Sequence, residues 1–102
     1  MKNTLYIDTS KQHIVSVRLV TETGEVVKET EQKFGSQVLL ALIKESLNDS
    51  KLTLQDLKEI LVETGPGSFT GLRVGVAVAN ALGYSLQIPV NGKAIETELR
   101  YV

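Results

Sequence analysis

The sequence predicts an α/β fold: one domain with a five-stranded mixed sheet and two main helices. Three short, strand-like segments separated by turn residues come first. Two longer segments with helical periodicity follow, and each is succeeded by another short apolar segment. With 102 residues, 42% of them hydrophobic, the chain is long enough to bury one core, so residues 1–102 are expected to form a single domain.

The first three strands are expected to pair as antiparallel hairpins. TLYID, residues 4–8, is a short apolar run that brings Asp8 to a sheet edge, and residues 13–20, HIVSVRLV, alternate as a strand does. Gly24 suits the hairpin turn that follows. Residues 26–32, VVKETEQ, are more polar, which predicts an edge strand.

The rest of the chain is predicted to alternate helices and strands. Helical crossovers would join the last two strands to the sheet, and among the topologies that fit we favour the ribonuclease H-like arrangement, order 3-2-1-4-5. The polar tail ETELRYV is expected to be a natural chain end. The predicted elements are a helix after Ser36, a short helical turn capped by Thr53, a strand in residues 58–64, a helix in residues 72–86 and a fifth strand from residue 88.

Composition excludes several kinds of function. The net charge is −1, the basic residues are scattered and only 5% of residues are aromatic, so we expect no direct nucleic-acid binding. The absence of cysteine excludes disulfides, thiolate metal sites and a cysteine nucleophile. No segment suits a signal peptide or a membrane span of ~18 apolar residues, which predicts a cytoplasmic protein.

The glycine-rich loop GPGSFTGLRVG, residues 65–75, is a candidate phosphate site. Its spacing fits neither a P-loop, which also needs a lysine, nor a dinucleotide fingerprint. The free N–H groups at the start of the following helix can still attract a phosphate. Alternatively, Ser68 and Thr70 satisfy these groups as caps and the loop is only a turn, and the sequence leaves both interpretations open.

The second helix carries a small residue at every fourth position, namely Gly71, Gly75, Ala79 and Gly83. A glycine inside a helix costs about 1 kcal/mol relative to alanine, so we expect a closely packed neighbour to offset that cost. Both helices are also apolar beyond one face. Either they pack on each other over the sheet, or a partner helix lies on this stripe, and leucine at Gly75 or Gly83 would then block association while leaving the fold.

IDTS at residues 7–10, together with GPGSFTGLRVGVAVANALGYSLQIPV at residues 65–90, resembles the N-terminal domain of the TsaB (YeaZ) family. The resemblance implies a domain of the actin, sugar kinase and Hsp70 superfamily that serves in making threonylcarbamoyladenosine on tRNA. Such proteins are similar to the catalytic TsaD subunit, act as its non-catalytic scaffold and have the ATPase TsaE as a further partner. They are usually about twice as long, which implies that a second domain is absent here.

The resemblance also implies which residues make contacts. Family members pair with TsaD, or with themselves as homodimers, through the two helices. Asp8, Thr9 and Ser10 occupy the position of the superfamily's first phosphate loop, and Gly67, Ser68 and Thr70 complete the candidate nucleotide residues. No cofactor is expected to bind tightly, and ATP or ADP is expected only in a complex with partners, because such a site closes between two domains. The implied partner-binding residues are Val38, Leu39, Leu42, Gly71, Arg73, Gly75, Ala79, Leu82 and Gly83.

Few residues suit catalysis, so a scaffold is favoured over an enzyme. His13 is the only histidine and begins a strand, where we expect a solvated side chain, and no cluster has metal-ligand spacing. The alternative hypothesis is a magnesium-dependent ribonuclease H-like nuclease, or a nucleotide-binding enzyme, that uses Asp8. Glu63, at the end of the fourth strand, is the nearest candidate for a second carboxylate.

Overall fold

The computed structural model describes residues 3–31 and 36–99, so the last three residues of the predicted tail lie outside it. The strands form one sheet in the order β3-β2-β1-β4, in which β1 pairs antiparallel with β2 and parallel with β4. The α/β class and the order of the first four strands are therefore confirmed. The elements are β1 (Thr4–Asp8), β2 (Ile14–Thr21), β3 (Gly24–Glu31), α1 (Gln37–Asp49), a 3₁₀ turn (Leu54–Asp56), β4 (Glu59–Val62) and α2 (Phe69–Leu86).

One face of the sheet forms the core, because alternation along the strands directs the large aliphatic side chains to that face. There α1 packs on β2 and β3, while α2 packs on β4 and β1. Neither helix covers the opposite face. The strands contribute Leu5, Ile7, Val15, Val17, Leu19, Ile60 and Val62 to the core, and the helices contribute Leu39, Leu42, Ile43, Leu47, Val76, Val78 and Ala79.

The ends of the elements follow local hydrogen bonds. Gly24 pairs with Thr21 across a two-residue turn, as the hairpin prediction requires. Thr53 caps the 3₁₀ turn, where the Asp56 carboxylate accepts from Thr53 N at 2.8 Å. Ser36 does precede α1, but its side chain makes no capping hydrogen bond. No helix within residues 3–31 and 36–99 is long and apolar enough to cross a membrane.

The predicted fifth strand needs correction, because residues 88–90 provide only a single-residue bridge, from Val90 to Ile60 of β4. Pro89 has no N–H group to donate to a sheet. Directly after Val90, Asn91 and Gly92 both adopt positive φ, and Val90 N donates to Lys93 O at 2.7 Å. This tight turn reverses the chain at once, so the part of the sheet that the structure describes has four strands.

The Asn91 side chain stands where a fifth strand would continue. Its Oδ1 accepts from Val62 N at 2.8 Å, and its Nδ2 donates to Val62 O at 3.1 Å and to Glu96 Oε2 at 2.7 Å. The backbone of Glu96 in turn forms two hydrogen bonds of 2.8 Å with the Asn80 amide of α2. Residues 91–96 are thereby attached to both β4 and α2.

The buried Glu96 carboxylate makes stability depend on pH. Burial alone would raise the pKa of Glu96, but hydrogen bonds from the Asn91 amide, Glu98 N–H and Lys93 Nζ outweigh burial and lower it to about 2. Because this folded-state pKa lies below the ordinary value of 4.5, the carboxylate stabilises the fold above that pH and loses its contribution as pH falls through the folded pKa.

We therefore expect acid to destabilise the protein partly through Glu96. Between about pH 5 and pH 2, this group should account for a loss of about 1–2 kcal/mol in the free energy of unfolding, after allowance for solvent screening. Urea titrations at several pH values measure the loss, and Glu96→Gln should show a smaller one. Glu98→Gln, whose side chain is 84% exposed in the parent, is the matched control. Equal pH dependence in all three proteins would contradict this assignment.

Candidate functional site

The two segments proposed for phosphate binding do meet, at the carboxyl end of β1. Ser68 N donates to Ser10 O at 2.8 Å, and Thr9 Oγ1 donates to Gly71 O at 2.5 Å. A Cβ atom at Gly67 would stand 2.5 Å from Ser10 O, so this close approach requires glycine. The glycine loop therefore docks α2 onto the end of β1.

The polar groups at this junction bind one another. Asp8 Oδ1 accepts from Ser10 N at 2.9 Å and from Ser10 Oγ at 2.6 Å, and Ser68 Oγ accepts from Gly71 N at 3.2 Å. Ser68 thus caps α2, whereas Thr70 lies within the helix and is exposed. Every buried side-chain N or O atom in the described residues has a hydrogen-bond partner. This geometry favours the capped turn, and phosphate binding here stays a hypothesis.

The acidic residues considered for a metal do not form a ligand set. Asp8 and Glu63 both line a shallow depression on the sheet face that the helices leave uncovered. Glu63 Oε1, however, accepts hydrogen bonds from the N–H groups of Thr64 and Gly65 at 3.2 Å. Across residues 3–31 and 36–99, no three His, Cys, Asp or Glu side chains are grouped closely enough to hold a metal ion. His13 is exposed at the start of β2.

The small-residue stripe of α2 faces the interior of its own domain. Gly71, Gly75, Ala79 and Gly83 are all buried. A Cβ atom at Gly75 would collide with the Thr9 hydroxyl, and one at Gly83 would lie 2.5 Å from Val90 Cγ2. The expectation that a partner helix lies on this stripe is therefore wrong, because the chain's own β1 end and residues 88–90 occupy that space.

Two of the three expected contact residues of α1 are also buried in the domain. Leu39 and Leu42 belong to the core, with 1% and 7% of their surface exposed, whereas Val38 is half-buried. The neighbouring Leu40 is 39% exposed. Leu40, and not Leu39 or Leu42, therefore lies on the outward side of α1.

An apolar groove of about 530 Å³ runs between the outward sides of α1 and α2. Two of the sequence-predicted contact residues, Arg73 and Leu82, line it. Sequence reasoning missed the others on α2, although their i, i+3, i+4, i+7 spacing was a detectable signal opposite the glycine stripe. The lining residues are Ser36, Leu40, Arg73, Val74, Ala77, Val78, Ala81 and Leu82.

Among the described residues that line this α1–α2 groove, Arg73 is the one cation, and it lies near the start of α2. The Arg73 guanidinium carbon lies 5.3 Å from the centre of the Phe69 ring, and Phe69 is itself 57% exposed. Ala77 and Ala81, one and two turns further along α2, are exposed and carry only methyl groups. The groove can therefore admit a large apolar side chain or a helix, with Arg73 available to an acidic group at its end.

Known proteins of similar sequence include proteins named TsaD and TsaB. Residues 9–92 match the family model for TsaD, tRNA N6-adenosine threonylcarbamoyltransferase. The tRNA threonylcarbamoyladenosine biosynthesis protein TsaB of Bacillus subtilis is 36% identical over 96 residues, which cover 91% of this chain and 42% of that protein. Its counterpart from Buchnera aphidicola subsp. Schizaphis graminum is 35% identical over 88 residues, with coverage of 86% and 42%.

A solved structure agrees with these sequence relatives. YeaZ from Pseudomonas aeruginosa superposes with a TM-score of 0.82 at 31% identity, over 88% of this chain and 42% of that one. The chain thus spans 42% of the length of each of these three proteins.

Proposed function

Because the chain belongs to the TsaB (YeaZ) family, we propose that it acts as a non-catalytic scaffold in the biosynthesis of threonylcarbamoyladenosine on tRNA. In this proposal the chain pairs with itself or with a TsaD-like catalytic subunit through α1 and α2. A TsaE-like ATPase is a further partner, and ATP or ADP binds only in the complex with partners. The domain is then ribonuclease H-like, of the actin and Hsp70 superfamily, and works in the cytoplasm.

The observation that carries the proposal is the α1–α2 groove. Apart from Val78, which is buried, its apolar side chains lie on the outward sides of two neighbouring helices, where a partner helix can pack between them. Ala77 and Ala81 permit a close approach, while Leu40 and Leu82 provide apolar area on either side. Such a surface favours a helical partner over a small polar substrate.

The matching family model supports a TsaD-like or identical partner. The match to TsaD covers residues 9–92, which include both helices. Two chains related in this way would each present a similar helix pair, so the pairs can join about a two-fold axis or a pseudo-two-fold axis into a four-helix contact. One surface would then serve both the homodimer and the heterodimer.

The polar junction at β1 supports the scaffold role more than the enzyme alternative. Asp8 accepts two hydrogen bonds from Ser10, and Thr9 is buried with its hydroxyl bonded to Gly71. A magnesium-dependent nuclease would need further oxygen ligands converging with Asp8. No observation on the described residues favours that alternative.

Sedimentation velocity tests the proposal. The pure chain is expected to sediment as a dimer, and addition of a TsaD-like subunit with ATP should replace that dimer by a heterodimer. Omitting ATP shows whether nucleotide contributes to the complex. A chain that stays monomeric and does not bind the TsaD-like subunit would contradict the proposed function.

A further inference from the structure

The face of the sheet opposite the helices forms a shallow trough of about 330 Å³. Its centre is a cross-strand row in which Tyr6 pairs with Arg18 and Leu61, and Arg18 pairs with Val27 of β3. Val27 is 54% exposed, and Tyr6 and Leu61 are half-buried. The row thus places an aromatic ring and two aliphatic side chains beside a guanidinium on a sheet face that neither helix covers.

Charge on this open face has one dominant sign. Within residues 3–31 and 36–99, strand register and alternation place six of the chain's 12 acidic residues on this face, together with one cation, Arg18. Arg18 is already engaged, since its guanidinium lies 4.1 Å from the Tyr6 ring centre and 3.6 Å from Glu25 Oε2. The whole chain has a net charge of only −1, so the acidity is concentrated on this face. The six residues are Asp8, Glu25, Glu29, Glu31, Glu59 and Glu63.

This arrangement selects the chemistry of an occupant. A second copy would bring an equally acidic face into contact, and both RNA and anionic lipid would be repelled. A segment with Lys or Arg on both sides of an apolar stripe would match the central row and the surrounding carboxylates. Helices commonly cover sheet faces in α/β folds, and a helix about 10 Å across fits over the four strands.

We propose that the open face of the sheet binds a cationic amphipathic helix of a partner protein. The apolar side of that helix lies over Tyr6, Leu61 and Val27, and its basic side chains meet the surrounding carboxylates. This surface is independent of the α1–α2 groove, which lies on the other side of the sheet. The chain would therefore have two protein-binding surfaces of different chemistry.

Fluorescence anisotropy with a labelled synthetic helix, leucine along one side and lysine along the other, tests the proposal on the full chain. Two control peptides replace lysine by glutamate, or leucine by serine. We expect only the Leu/Lys helix to bind, and backbone NMR shifts should follow β1 to β4. The variant Glu29→Lys/Glu31→Lys should bind about tenfold more weakly. The matched variant Glu22→Lys/Glu45→Lys changes net charge equally, away from this face, and should bind as the parent does.

Several results would overturn the proposal. Failure of the Leu/Lys helix to bind would contradict it, and so would backbone NMR shifts confined to the α1–α2 groove. Equal weakening by both double variants would indicate only a response to net charge. Equal binding of the Ser/Lys peptide would indicate an acidic patch without a docking surface, and equal binding of the Leu/Glu peptide would indicate apolar adhesion.

Discussion

Replacing Gly75 with alanine is expected to lower the free energy of unfolding by about 1–3 kcal/mol, the usual cost of overpacking a core. The added Cβ would collide with the Thr9 hydroxyl and lie 3.3 Å from Thr9 Cβ. Thr9 has little room to retreat, because it is fully buried and its hydroxyl bonds Gly71 O. The same substitution at an exposed helical glycine would stabilise a protein by up to about 1 kcal/mol. Urea denaturation measures the difference.

Two controls separate this collision from helix propensity. Ala77→Gly changes the same helix at an exposed position, where only the propensity loss of about 1 kcal/mol is expected. In a double-mutant cycle, Thr9→Ala removes the colliding oxygen, so Gly75→Ala should cost less in that background than in the parent. A more stable Gly75→Ala protein, or a cycle without coupling, would show that α2 does not pack closely on Thr9.

Arginine at Ala77 and Ala81 together is expected to prevent association without unfolding the chain. Both positions line the α1–α2 groove and are exposed, so a long charged side chain fits the monomer but fills the space of a partner helix. Arginine also has good helix propensity, so stability should change little. We expect affinity for the TsaD-like subunit to fall by at least about 100-fold, because changes at the centre of an interface commonly cost several kcal/mol of binding free energy.

Gln55→Arg is the matched control for this variant, because Gln55 is exposed in the 3₁₀ turn and does not line the groove. It should sediment as the parent does, alone and with the TsaD-like subunit. Thermal denaturation of all three proteins checks that the fold is retained. Unchanged association of the Ala77/Ala81 variant, or equal loss in Gln55→Arg, would place the contact elsewhere.

The order of the elements could be predicted because each has a local signal. Alternation in residues 14–20, the Gly24 turn and the Thr53 cap all lie within a few residues of the structure they produce. The prediction of a fifth strand failed for an equally local reason, since Asn91 and Gly92 form a tight turn directly after Val90. That Asn-Gly pair is itself a recognisable hairpin signal.

The site was harder to predict because burial is not local. The glycine stripe correctly indicated a close neighbour for α2, but only the tertiary structure shows that this neighbour is Thr9 and not another chain. Once that side of α2 faces inward, the opposite side with Ala77 and Ala81 must face outward. Periodicity gives the two sides of a helix but not which one is buried when both are apolar.

Cysteine protection tests the central claim most directly, namely that the α1–α2 groove contacts the TsaD-like subunit. The chain has no cysteine, so Ala81→Cys and Gln55→Cys each introduce a single thiol. Both positions are exposed in the free chain and should react readily with a maleimide. In the complex with the TsaD-like subunit, we predict that labelling slows strongly at Ala81→Cys and not at Gln55→Cys. Equal labelling of Ala81→Cys with and without a bound subunit would contradict the claim.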